Sequence, residues 1–202
     1  MIIHNKKETD YFTLPDILLE NKNIAKADTI AENLHHNQYR KHKKDKYPYI
    51  IHPRMVATIL YELGYNEDII IAGLLHDTVE DCAYSLHDIQ SDFNENIAYL
   101  VEKLTNIAPE YLSKEEKKEI NNQHVLTGTN NSMTIKVIDI GCNAKSIFEN
   151  FSKNSANQWF SSKQKLINKI VIDNTVLLDE VKNILNYYQL QLSTSPSIKS
   201  IQ

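Results

Sequence analysis

The densest group of reactive side chains in the sequence is His76-Asp77-Thr78-Val79-Glu80-Asp81, which directly follows the apolar run Ile69–Leu75. Burying charge beside Leu74 and Leu75 is costly unless the charges are paired or bound to a metal. A histidine and a carboxylate adjacent in sequence can converge on one cation at a helix end. Glu80 and Asp81, one turn later, can face the same cavity. The plainer alternative is an exposed acidic loop with a satisfied histidine. Three other groups accompany this one. His52 precedes Pro53 at the expected start of a helix, where a side chain either caps the helix or projects into a cleft. Asp139, Asn143 and Ser146 are spaced i, i+4, i+7 and so share one helical face. That face belongs to an otherwise apolar helix, so the polar stripe is either a structural network or a binding surface. Arg40-Lys41-His42-Lys43-Lys44-Asp45-Lys46, with Tyr39, Tyr47 and Tyr49 interleaved, reads as a solvated loop or as a phosphate-binding rim. The planar fork of Arg and the ring faces of Tyr suit phosphate and purine.

The elements that must position these groups are helical. The chain of 202 residues holds only four Gly and five Pro, roughly half the average use of about 7% and 5%. An all-β sandwich needs more turns than this composition supplies. Gly64, Gly73, Gly128 and Gly141 stand too far apart for a Walker loop or a dinucleotide-binding fingerprint. The expected helices run Ala25–Asn37, Pro53–Leu63 (ended by Gly64), Glu67–Asp77 (capped by Asn66), a short one opened by Ser85 and Asp88, and Glu95–Leu104. Beyond these come a charged helix from the Ser113/Glu116 capping box to His124, Met133–Phe148, and one long or kinked helix over 155–192. Residues 38–51 and 127–131 read as loops. Pro53 is expected at the first helical position.

Net charge is −4, from 22 basic and 26 acidic side chains, which argues against a general nucleic-acid coat. The N-terminus has no apolar signal region, and Ile69–Leu75 is too short to span a bilayer. Cys82 and Cys142 form neither a disulfide framework nor a metal clip. A cytoplasmic protein with no membrane contact is expected.

In order along the chain stand Gln38-Tyr39-Arg40-Lys41, Tyr47-Pro48-Tyr49-Ile50-Ile51-His52-Pro53, Ala72-Gly73-Leu74-Leu75-His76-Asp77-Thr78-Val79-Glu80-Asp81, and then Phe93, Leu100-Val101, Thr105, Lys136-Val137-Ile138-Asp139 and Asn143. This series resembles the HD-superfamily hydrolase of RelA/SpoT-type enzymes, and most of all the stand-alone small alarmone hydrolases, including the metazoan SpoT homologues. The likeness covers about residues 25–150. It implies an all-α fold, a multi-helix bundle around a single metal site. The organisation expected is a lead-in over 1–24, a phosphohydrolase core over 25–150, a helical extension over 151–192 and a polar tail over 193–202.

By position, the resemblance implies His52, His76, Asp77 and Asp139 as ligands of one divalent metal, Mn²⁺ first, with Zn²⁺ or Fe²⁺ open. Glu80 and Asp81 would position and deprotonate the attacking water. Arg40 and Lys41 would hold the guanine end of the nucleotide, Asn143 would contact the ribose, and Ser146 stands where Thr is frequent. The implied reaction removes the 3′-pyrophosphate from ppGpp or pppGpp, giving GDP or GTP and pyrophosphate. Other readings are an HD phosphohydrolase acting on ppApp, NADPH, a nucleoside monophosphate or a cyclic nucleotide, and a non-catalytic alarmone-binding module. A homo-oligomer is compatible with the sequence. The chain departs from the family pattern at Ile140 after Asp139, at Gly141-Cys142, at Cys82 in place of Thr, at Asn94 in place of Gly, and in a long basic loop between Lys41 and His52. These departures leave the ligand set intact and bear on nucleotide preference. Gly73 and Gly141, near His76 and Asp139, are expected to let helices pack closely around the metal.

Overall fold

A computed structural model of the chain describes residues 2–3, 6–41 and 46–194. Its regular elements are helical. A 3₁₀ turn at Glu8–Tyr11 precedes α1 (Asp16–Leu19), α2 (Lys22–Leu34), α3 (Ile51–Glu62), α4 (Glu67–Leu75), α5 (Thr78–Asp81) and α6 (Leu86–Asp92). Then come α7 (Glu95–Glu102), α8 (Lys114–Leu126), α9 (Asn130–Asn150), α10 (Lys153–Ile167) and α11 (Thr175–Thr194). The all-α expectation holds, and among the described residues the one β-bridge, Tyr39 with Pro48, pinches the approach to α3.

Capping side chains set most helix boundaries. Asn21, Asn66, Asn94, Thr129 and Ser152 each accept a backbone N–H at a helix start, and Ser85 and Ser113 form full capping boxes with Asp88 and Glu116. Thr129 starts α9 three residues earlier than the apolar pattern suggests. Gly64 takes the left-handed conformation after α3, with φ of 79°, as a C′ glycine does. Two boundaries differ more. Helix α3 begins at Ile51, so Pro53 is its third residue, a position where the N–H has no intrahelical acceptor anyway. The expected helix over 155–192 is two helices. Asn168 follows α10, and the Asn174 side chain accepts the Leu177 N–H to open α11.

Helices α3 and α4 form the middle of the bundle. Every residue from Ile51 to Leu60 and from Ile69 to Leu75 is buried. Helix α4 packs against α2, α3 and α7, while α9 lies against α3 and α11. Gly73 permits the tightest of these contacts, since a Cβ there would lie 2.6 Å from Leu60 Cδ1. The two helices that lead to His52 and His76 are thus pressed together. Gly141 does something else. Its missing Cβ makes room for Ile3 and for Val181 of α11 (2.7 and 3.0 Å), so it serves the back of α9 and not the metal residues.

The N-terminal residues, weakly patterned in the sequence, are packed into this core through Ile3, Tyr11, Leu14 and Leu18. The Ile2 and Ile3 amides donate to the Glu180 carboxylate of α11 at 2.7 and 2.8 Å. Below α3, Arg54 donates to both oxygens of Asp28 (2.7 and 2.8 Å) and to the Phe12 carbonyl, and lies 3.1 Å from Glu32. Asp28 and Arg54 are both buried. Asp28→Ala leaves the guanidinium short of its principal partner. A loss of about 3 kcal/mol in urea-unfolding free energy is expected, the low end for a broken buried pair because Glu32 and the Phe12 carbonyl remain. A loss under about 1 kcal/mol, the level of an exposed pair, would contradict this account.

Candidate metal centre and active site

His52 is set at the first turn of α3. His76 and Asp77 occupy the break between α4 and α5, where the Thr78 hydroxyl donates to the Leu75 carbonyl at 2.7 Å. Asp139 comes from the middle of α9. The fold brings these four together. His52 Nε2 lies 3.1 Å from Asp139 Oδ1 and 3.9 Å from Asp77 Oδ2. His76 Nε2 lies 3.1 Å from Asp77 Oδ2 and 3.9 Å from Asp139 Oδ1. His52, His76 and Asp77 offer ligand atoms all within 4.8 Å of one another. Donors about 2.0–2.2 Å from a shared cation sit at such spacings.

The donor chemistry fits a divalent metal. His76 Nδ1 donates to the Gly73 carbonyl at 2.8 Å, which leaves Nε2 as the inward-facing nitrogen, a cation ligand once it has given up its proton. That nitrogen is buried and makes no aligned hydrogen bond, although Asp77 is close. It is directed into the space between donors and not at one carboxylate oxygen. The flanking groups steady the carboxylates. The Tyr49 hydroxyl donates to Asp77 Oδ2 (2.6 Å) and Asn143 Nδ2 to Asp139 Oδ1 (2.7 Å), while Lys136 Nζ pairs with Asp139 Oδ2 (2.9 Å).

Electrostatics point the same way. Burial holds the His52 imidazole below its usual range, against the pull of Asp139. Burial also works against charge on His76, but Asp77 and Asp139 outweigh it and push His76 up to about 9. Asp77 and Asp139 titrate below the ordinary carboxylate range. Burial opposes their ionisation, and His76 for Asp77 and Lys136 for Asp139 are the chief groups that overcome it. The two carboxylates favour a positive charge between them.

A cavity of about 450 Å³ opens beside this cluster. Asp77, Asp139, Glu80 and Tyr49 stand on its acidic side. Lys117 and Lys118 of α8, Lys136 of α9 and Lys163 of α10 stand around it. Burial and the neighbouring Lys136 charge push Lys163 down to about 8. The Glu80 carboxylate accepts from the Asn106 side chain, which aims it along the wall. Asp81 does not line the cavity. Burial, then the Asp77 and Glu80 charges, push its carboxyl up to about 6.

The remaining expected residues fall elsewhere. Arg40 is 9% exposed and donates to Asn143 Oδ1 and to Glu8 Oε1, both at 2.9 Å. Lys41 is exposed and places its ammonium 4.2 Å from the centre of the Phe151 ring. Residues 42–45 of the basic run lie outside the described residues. Ser146 is separated from the metal centre. It accepts from Asn150 Nδ2 at 3.4 Å, so the polar stripe of α9 continues one turn further. Sequence reasoning quoted Lys136 in a motif but gave it no role, and singled out neither Lys163 nor Asn106. Lys136 was within reach, since its i, i+3 spacing to Asp139 puts both on one face. Lys163 and Asn106 carry no local signal.

Residues 27–128 match the HD domain family. The chain belongs to that family. Asp139 lies beyond the matched stretch, so its place in the HD cluster rests on the geometry above. Curated relatives include a Streptomyces coelicolor protein named GTP pyrophosphokinase, 44% identical over 86 residues (43% of this chain, 10% of that protein). Another is the Borreliella burgdorferi guanosine-3′,5′-bis(diphosphate) 3′-pyrophosphohydrolase, 40% identical over 102 residues (50% of this chain, 15% of that protein). The chain thus spans a small part of these longer relatives. A solved structure reported as a metazoan orthologue of SpoT that hydrolyzes ppGpp shares the fold, with a TM-score of 0.67 at 23% identity, covering 89% of this chain and 96% of that one. A Listeria monocytogenes structure matches at TM-score 0.56 and 27% identity, over 70% of this chain and 98% of that one. Among the described residues no helix is long and apolar enough to cross a membrane.

Proposed function

We propose that this HD chain is a metal-dependent hydrolase that removes the 3′-pyrophosphate from ppGpp or pppGpp, releasing GDP or GTP and pyrophosphate. The observation that carries the proposal is the convergence of His52, His76, Asp77 and Asp139 beside Glu80, in a cavity that several lysines also line. The relatives' names supply the nucleotide, and the long Borreliella protein is named for this reaction.

The division of labour follows from charge. A 3′-diphosphate ester repels an anionic nucleophile. Lys117, Lys118, Lys136 and Lys163 offset that repulsion and keep the pyrophosphate against the acidic wall. His52, His76, Asp77 and Asp139 would hold a divalent cation, Mn²⁺ first with Zn²⁺ or Fe²⁺ open, which would neutralise further charge and acidify water. Glu80, aimed by Asn106, orients the attacking water and takes its proton, and Asp81, outside the cavity lining, receives that proton from behind Glu80. Water oxygen bonds to phosphorus, the bond to the ribose 3′-oxygen breaks, and that oxygen leaves with a proton. Asn143, tied to both Asp139 and Arg40, stands where the ribose would lie. Arg40 and Lys41 would meet the base.

The test is a nucleotide panel at saturating Mn²⁺ with product identification: ppGpp, pppGpp, ppApp, NADPH and a cyclic nucleotide. Pyrophosphate and GDP from ppGpp are expected. No release from ppGpp by metal-loaded protein, or far faster turnover of another member, rejects the reading.

A further inference from the structure

We propose that Glu8, in the N-terminal segment, is a specificity-determining residue that reads the donor edge of a guanine base in a second cavity. The inference rests on the reaction proposed above and names how its nucleotide is chosen. The cavity measures about 250 Å³ and is bounded by Glu8 and Thr9, by Met55 of α3, by Cys142 and Ser146 of α9, and by Tyr188 of α11. It lies past the far end of the polar line that starts at the metal centre: Asp139 to Asn143, Asn143 to Arg40, Arg40 to Glu8. From Asp139 to Ser146 the rise along α9 is roughly 10 Å, a length comparable to one nucleoside. Among the described residues the two cavities share no lining residue, and the Arg40–Asn143 pair stands between them; a nucleotide with its 3′-phosphates at the metal centre and its ribose at Asn143 would direct its base past this pair toward the second cavity.

Glu8 is built to be read. Among the described residues its carboxylate bonds through Oε1 alone, to Arg40. Arg40 is itself held by Asn143, and its buried Nε has no partner. The pair orients Glu8 without using up its acceptors. Guanine presents two adjacent donors, N1–H and N2–H₂, which match the two oxygens of a carboxylate. Adenine presents N1 as an acceptor at that edge and is repelled. The Ser146 hydroxyl on the same cavity wall can serve the guanine acceptors. Glu8 lies outside residues 27–128, the stretch matched to the HD family.

The experiment measures GDP and ADP binding to the full-length protein by calorimetry, for wild type and Glu8→Gln. Neither ligand carries a 3′-pyrophosphate, so base recognition is read without turnover. Wild type is expected to bind GDP at least about tenfold tighter than ADP, a modest figure for charge-assisted hydrogen bonds. A glutamine amide offers one donor and one acceptor and pairs with adenine. Glu8→Gln is therefore expected to weaken GDP by about tenfold or more and to tighten ADP, a gain that a misfolded variant cannot produce. An unchanged GDP-to-ADP ratio overturns the proposal. So does tighter binding of both nucleotides, which would mean that Glu8 merely occupies Arg40, and so does a wild type that fails to bind GDP. If GDP is discriminated but ppGpp is not hydrolysed, the reaction assignment fails and the base reading stands. If ppGpp and ppApp are hydrolysed equally well, the base reading fails alone.

Discussion

Asp77→Ala is expected to lose bound metal and pyrophosphate release together, with activity down by about 1,000-fold or more, since metal contributes several kcal/mol of charge stabilisation. Asp77 Oδ2 is the oxygen nearest His76 Nε2 and also lies 3.9 Å from His52 Nε2, so its loss opens one side of the donor set. Metal content by mass spectrometry and product release are measured on the same sample. A variant that keeps stoichiometric metal would remove Asp77 from the ligand set. The same residue sets the pH dependence of loading. With Asp77 present, His76 keeps its proton up to about pH 9. A cation must displace that proton, so affinity is expected to rise with pH up to about 9 and to weaken below it. In Asp77→Ala the largest cause holding the proton on His76 is gone, and this dependence should move to lower pH. Metal titrations of wild type at pH 6.5, 7.5 and 8.5 test the sign.

How far the sequence reaches depends on how local each determinant is. The helices were readable because their caps are written beside them: Asn66, Ser85 with Asp88, Ser113 with Glu116. The apolar Ile69–Leu75 run announced a buried helix, and its charged end announced a site. What stayed hidden is what depends on packing. Asn174 is an ordinary loop residue in the sequence and becomes a helix start only because the chain turns there. Glu8 sits in a stretch without periodicity, yet Ile3 filling the notch at Gly141 and Glu180 binding the Ile2 and Ile3 amides fasten that stretch to α9 and α11. Lys163 and Lys136, 27 residues apart in sequence, share one cavity only after α10 folds back along α9. The same packing explains why Gly73 and Gly141 differ. Both stand close to a proposed ligand in sequence, but only Gly73 faces a helix that carries another.

Glu80→Gln separates proton chemistry from metal binding, and a loss of about 10²–10⁴ in kcat is expected with metal content unchanged. The amide keeps the size of the side chain and its contact with Asn106, but it cannot accept a proton from water. Glu80 lines the cavity and contacts none of the four proposed ligands, so the donor set should be intact. Loss of metal in this variant would contradict the assignment. Asp81 adds a signature in pH. Its carboxyl is pushed up to about 6 by burial first, then by the Asp77 and Glu80 charges. A cation at Asp77 offsets the second of these causes, so in the loaded enzyme the acid limb of kcat/KM should fall at or below about pH 6. The sign follows from the base form being required: activity is lost as pH drops through that value. Removing the Glu80 charge lowers the Asp81 pKa further, so the residual activity of Glu80→Gln should hold to lower pH than wild type. Asp81→Asn should lose the limb altogether. An acid limb that stays fixed in both variants would belong to another group and would leave Asp81 without the proton-accepting role.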